Sequence, residues 1–228
     1  MEHSEQPQFE SMDEMAAATA NNLAKAAAGS AYALFSDKKF RRLARFDTLP
    51  VAEHDRIFNE LLVAGLTLQM LLLETPDLRV PIEMRPFLKQ VADAIPAAHV
   101  RELAALGVEA EHHQTWHQLI RMRYEEYAND RHQARSASMQ IEAAKAPLDR
   151  QSLAFIQATL PVQVVAIGCH QHNCRGKTDG YDDLLRLTLR HLSRFYIELR
   201  VRLEGGRITP LDRARVAAKR LLRRGRRH

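Results

Sequence analysis

The sequence predicts an all-α protein, a helical bundle of four longer helices with shorter helices flanking it. Three observations lead there. Apolar residues recur at spacings of three and four along most of the chain, and strand-like alternation is nearly absent. Gly and Pro, nine of each in 228 residues, fall mainly between the periodic segments. A composition that is 46% apolar and 27% charged is enough for a sizeable core.

Residues 12–34 are Ala-rich, which favours helix but supplies few large side chains to a core. A basic stretch (Lys38, Lys39, Arg41, Arg42, Arg45) leads to Asp47-Thr48-Leu49-Pro50, a turn and helix start. The helix at about 51–74 carries Ile57, Phe58, Leu61, Leu62, Leu68 and Leu72 on its apolar face and stops at Thr75-Pro76-Asp77. Its polar stripe, Glu53, Glu60, Thr67 and Glu74 at seven-residue spacing, is expected to face water.

A shorter helix at about 82–94 is expected to close at Pro96. Residues 97–143 contain no Pro, and as one helix would reach roughly 70 Å, so a break near Gly107 or Asn129 is expected. The helix at 149–168 carries Pro161, a kink signal, and a loop at 169–180 follows. Helix 181–204 repeats Leu185, Leu189, Leu192, Tyr196, Leu199 and Leu203 at alternating spacings of four and three. This seam, at 185–203, buries itself in the bundle or pairs with a second copy in a homodimer. Gly205-Gly206 stops that helix, and Thr209-Pro210 starts a last, basic one.

The organisation follows as an N-terminal acidic segment and Ala-rich helix with its basic stretch (1–47), a bundle (48–204) and a basic tail (205–228). Charge marks the same boundaries. Residues 1–15 hold five acids and no Lys or Arg, whereas 205–228 hold nine Lys/Arg and only Asp212. The tail is therefore at +8 and the first 204 residues at −3, so the chain's net +5 originates in its last two dozen residues.

Two cysteines cannot make a disulfide framework, and the acidic start lacks the features of a signal peptide. A cytoplasmic location is the expectation. The most apolar runs, 61–73 and 153–168, fall short of the roughly 20 residues of a span, so no transmembrane segment is expected.

Two constellations have metal-ligand chemistry. Cys169-His170-Gln171-His172-Asn173-Cys174 places four soft or borderline ligands in six residues, suited to zinc. Its two thiols can alternatively form a redox pair. On the helix after 97, Glu109, His112, His113, Trp116 and His117 share one face, with His113 and His117 an i,i+4 pair and His191 a distant third ligand. Glu109 and His112 have the Glu-x-x-His spacing of di-iron bundles. The further carboxylates of such a centre are missing, because Glu60 sits on the polar stripe and Thr188 stands three residues before His191. Zinc or iron are the candidate cofactors.

The third constellation is the tail. Arg213, Lys219, Arg220, Arg223, Arg224, Arg226 and Arg227 interleave with Leu211, Val216, Leu221 and Leu222 as a basic amphipathic helix, which attracts a nucleic acid or an acidic protein. The absence of Phe, Tyr and Trp from 205–228 argues against base stacking and membrane anchoring alike. A row of arginines, Arg186, Arg190 and Arg194, reads first as a solvated face and second as an anion-binding face continuous with the tail.

Phosphate-loop, nucleophile-elbow, dinucleotide and His-Glu-x-x-His motifs are absent. The expected function is a non-enzymatic intracellular binding or regulatory role in which the tail engages an anionic partner, nucleic acid ahead of membrane. The alternative is a metal-binding bundle, including a metalloenzyme.

Overall fold

The computed structural model describes residues 9–144 and 146–206. Among them are seven α-helices and two short 3-10 turns, and the all-α bundle is as expected. The helices are α1 (Met12–Phe35), α2 (Lys38–Leu43), α3 (Val51–Leu73), α4 (Arg85–Ala105), α5 (Glu111–Ala143), α6 (Arg150–Asn173) and α7 (Asp182–Leu203). The bundle draws in α1 and α4 beside the four long helices read from the sequence.

Helix α3 is the hub, packed on α1, α4, α5, α6 and α7. Every residue from Glu60 to Leu73 is buried, because an apolar surface that wraps a helix all round must be covered all round. Two helices, α3 and α6, are long and apolar enough to cross a membrane by length and composition, a property that a buried core helix such as α3 shares.

The alanines of α1 serve close packing. Ala16, Ala20, Ala24, Ala27 and Ala31 form its buried stripe, and a Cβ at Gly65 of α3 would lie 3.2 Å from the Ala27 Cβ. Small side chains let the two helices approach, and dispersion across the short gap replaces large side chains. The helix starts at Ser11, whose side chain accepts the Glu14 N–H at 3.2 Å.

Several boundaries differ from expectation. Helix α4 does not close at Pro96 but continues through it to Ala105, with Pro96 buried. The long periodic stretch breaks at Gly107, whose φ of +84° ends α4, and not at Asn129. Cys169 to Asn173 are helical, so the loop expected from residue 169 begins only at Cys174. On α7 the buried stripe is Leu184, Thr188, Leu192, Tyr196 and Leu199; Leu185 and Leu189 are half-buried. The seam is thus turned into the bundle at its second half and rotated by one residue at its first.

The largest departure is Glu60. It is buried, not solvated, because the polar stripe of α3 faces the polar helix α5.

Candidate functional site

The polar contact between α3, α5 and α6 gathers the densest set of chemistry-bearing side chains. Arg123 of α5 donates to both carboxylate oxygens of Glu60, at 3.0 and 3.3 Å, and to Glu126 at 3.1 Å. Glu126 in turn meets His172 Nε2 of α6 at 2.9 Å. One turn earlier on α3, Arg56 donates to Glu53 at 3.0 Å and to the His172 and Asn173 carbonyls at 2.8 and 2.9 Å, which satisfies the open end of α6. Arg175 pairs with the same Glu53, and these two guanidiniums hold its carboxyl below the usual range.

These groups border an open cleft of about 600 Å³ lined by Arg56, Glu60, Arg123, His172, Arg175 and Thr178. Three guanidiniums face three carboxylates across the network, so the cleft presents an anion with little net positive potential. Its chemical capacity is that of a clamp joining three helices.

Beneath it lie Tyr127 and Cys169, both fully buried. The Tyr127 ring lies over Gly168, where any Cβ would run into it. Burial, together with the neighbouring Cys169 and Glu60, pushes the Tyr127 hydroxyl well above its ordinary value, and that hydroxyl has no partner. Burial likewise raises the Cys169 thiol, whose Sγ lies 3.9 Å from the Glu60 carbonyl. Without a bound metal, a thiol held protonated is a poor nucleophile at neutral pH.

The Cys/His hexapeptide is spread round the end of α6. Cys169 points inward beside Asn173, His172 turns to Glu126, and His170 Nδ1 sits 3.8 Å from Cys174 Sγ on another side. Burial lowers the His170 pKa and raises that of Cys174. The six residues therefore do not converge on one point.

The histidines of α5 are also separated. His113 Nε2 donates to the Val108 carbonyl at 3.0 Å, and the His191 ring is bound to Ser30 of α1, its Nε2 2.9 Å from both the carbonyl and the hydroxyl. His117 is half-buried in the next turn of α5. Among the described residues, the set with three ligand atoms within 4.8 Å of one another is Glu109, Glu111 and His112, all exposed. It preserves the Glu109–His112 spacing seen in the sequence but stands at the first turn of α5, where acids also complement the helix dipole.

Arg186, Arg190 and Arg194 are exposed on the outer side of α7. Arg213, Lys219, Arg220, Arg223, Arg224, Arg226 and Arg227 lie outside the described residues. The Glu60–Arg123 clamp was missed in the sequence; Arg123 and Tyr127, four apart on α5, were its available signal.

The fold and its ion-pair clamp define an all-α helical bundle. Comparison with protein families, curated proteins and solved structures finds no match.

Proposed function

We propose that this is a non-enzymatic helical binding protein whose basic terminal segment engages a polyanion, with nucleic acid favoured over a membrane surface. The observation that carries the reading is the charge partition. Nine Lys/Arg against one Asp follow Gly205, on a chain whose first 204 residues are net negative. Helix α7 stops just before them, where Gly205 takes a φ of +77° and the Gly206 N–H bonds the Val201 carbonyl at 2.7 Å.

Binding of such a segment to a duplex releases counterions, so affinity falls steeply as salt rises. The test is a gel shift with duplex DNA or RNA over a salt series, comparing the full chain with one ending at Gly206, beside flotation on anionic vesicles. Loss of most of the affinity and of the salt dependence on truncation is expected. Unchanged binding removes the tail from the reading.

The metal-binding alternative, read from Cys169, His170, His172 and Cys174 or from His113 and His117, gains a further exposed cluster in Glu109, Glu111 and His112. Zinc or iron at one equivalent in the purified protein, measured by mass spectrometry, would favour it.

A further inference from the structure

We infer that α2 and the outer side of α7 form a second polyanion-binding surface, which takes the phosphate backbone of a nucleic acid alongside the terminal segment. The inference rests on the polyanion reading above and extends it to the folded body.

Helix α2 is short and strongly anchored. Its N-cap Asp37 accepts the Phe40 N–H at 2.8 Å, and Phe40 is fully buried, edge-on to Phe46 with ring centres 6.0 Å apart. With Phe40 inward, Lys38, Lys39 and Arg42 are left exposed. At the end of α2 the Arg45 guanidinium lies 4.5 Å from the centre of the Tyr181 ring, which fastens this corner to the start of α7.

Helix α7 packs on α2 and α1. Its buried residues Leu184, Thr188, Leu192, Tyr196 and Leu199 face the core, so Arg186, Arg190 and Arg194, four apart, line its outer side. Arg194 borders a shallow groove with Ser30, His191, Glu198 and Arg202, so the groove holds one carboxylate beside two guanidiniums. Helices α2 and α7 thereby meet at one corner of the fold, with exposed cations on both helices.

Of the cations on this face, Arg186 is paired with Asp183 at 3.3 Å, and the others are exposed. Lys38, Lys39, Arg42, Arg190 and Arg194 make no ion pair with a described residue. Around α1 and α4, Lys25 pairs with Glu102 at 3.3 Å, Lys89 with Asp93 at 2.8 Å and Arg121 of α5 with Asp93 at 3.8 Å, while Arg101 donates to the Asn21 side-chain oxygen at 3.0 Å. Arg190 lies four residues from Arg194 and from Arg186, the latter partly offset by Asp183, and a bound polyanion relieves the remaining repulsion along α7. A membrane surface fits less well, because Phe40, Leu192 and Tyr196 are buried and leave no aromatic or apolar stripe of these helices to insert.

The test uses the full chain and a random-sequence duplex of about 30 bp in a salt series. One variant combines Lys38→Ala, Lys39→Ala, Arg42→Ala, Arg190→Ala and Arg194→Ala. A control combines Lys25→Ala, Lys89→Ala, Arg101→Ala and Arg121→Ala. Far-UV circular dichroism melting establishes that both are folded.

The expected result is binding at least tenfold weaker near 0.1 M salt for the first variant, with a log–log salt slope shallower by about four. The control keeps at least three quarters of the wild-type slope. A first variant that binds with the wild-type slope overturns this inference, and leaves the terminal-segment reading standing if truncation at Gly206 still abolishes binding. Equal weakening by the control also overturns it, as does a wild-type chain that floats with anionic vesicles and ignores the duplex. Weakening by the face variant with no effect of truncation supports the face and removes the tail.

Discussion

The corner between α3, α5 and α6 and the face formed by α2 and α7 are both rich in arginine, but they treat charge in opposite ways. At the corner, Arg123 is largely buried and held by Glu60 and Glu126, while Arg56 and Arg175 share Glu53. On the face, Arg190 and Arg194 are exposed and make no ion pair with a described residue. A buried guanidinium must be matched, because desolvation without a partner is prohibitive. An exposed one needs no match and keeps its field available to a partner. Arginine count alone therefore says little about anion binding; burial and pairing decide.

The sharpest way to break the corner is to remove one side of its buried pair. Glu60→Ala leaves the Arg123 guanidinium, already largely desolvated, with only the more exposed Glu126. A loss of about 3 kcal/mol in urea unfolding is expected. Combining Glu60→Leu with Arg123→Met should recover most of it, since a well-packed apolar pair of similar volume can replace a buried ion pair. If the single and double variants are equally unstable, the clamp reading fails.

An unpaired interior group gives the next effect. His99 of α4 is buried edge-on to Trp116, with ring centres 5.2 Å apart, and its Nε2 has no partner. Burial lowers its pKa from 6.5 to about 4. The folded protein therefore holds a neutral imidazole over a range in which the unfolded chain takes up a proton. Stability is unaffected above pH 6.5 and is lost progressively as pH falls to about 4. The full loss is about 3 kcal/mol. Urea midpoints at pH 7 and pH 4.5 should converge for His99→Leu relative to wild type; an unchanged pH dependence contradicts the assignment.

Gly168→Ala comes third. The added methyl meets the Tyr127 ring, which is fully buried and cannot swing into solvent. Overpacking of this kind costs about 2 kcal/mol. A melting temperature unchanged by this substitution would mean that α5 and α6 approach less closely than described.

These positions also mark how far the sequence could be read. Periodicity carries the helices, because one apolar stripe per helix is enough to identify a bundle. It cannot say which polar stripe meets another polar stripe. Glu53, Glu60 and Glu74 look like a solvated column on α3, yet Glu60 meets Arg123 and Glu74 accepts the Tyr124 hydroxyl at 2.5 Å. Pairing between helices is a tertiary fact with no signature on one helix alone. Pro96 misled for a related reason: apolar flanks at Val91, Ile95 and Ala98 keep α4 intact through it. The Cys/His hexapeptide looked dense because its spacing was read as a loop, whereas a helix fans six consecutive residues round its axis. The arginine row on α7 is visible in the sequence, but the packing of α7 on α2 joins segments about 150 residues apart in the chain.

The smallest expected effect discriminates best between paired and unpaired cations. Arg190 stands four residues from both Arg186 and Arg194, a like-charge column that weakens the helix by a few tenths of a kcal/mol per pair. Arg190→Glu converts both repulsions into attractions and should raise stability by about 0.5–1 kcal/mol. On the α1/α4 side the same change has the opposite sign. Lys89 lies 2.8 Å from Asp93, so Lys89→Glu replaces an i,i+4 attraction with a repulsion and should lower stability by about 0.5 kcal/mol. If Arg190→Glu also weakens duplex binding while the protein becomes more stable, folding alone does not account for an arginine at 190. If the variant is less stable than wild type, Arg190 has a structural partner, and the α2/α7 face belongs with the paired surface and not with the polyanion site.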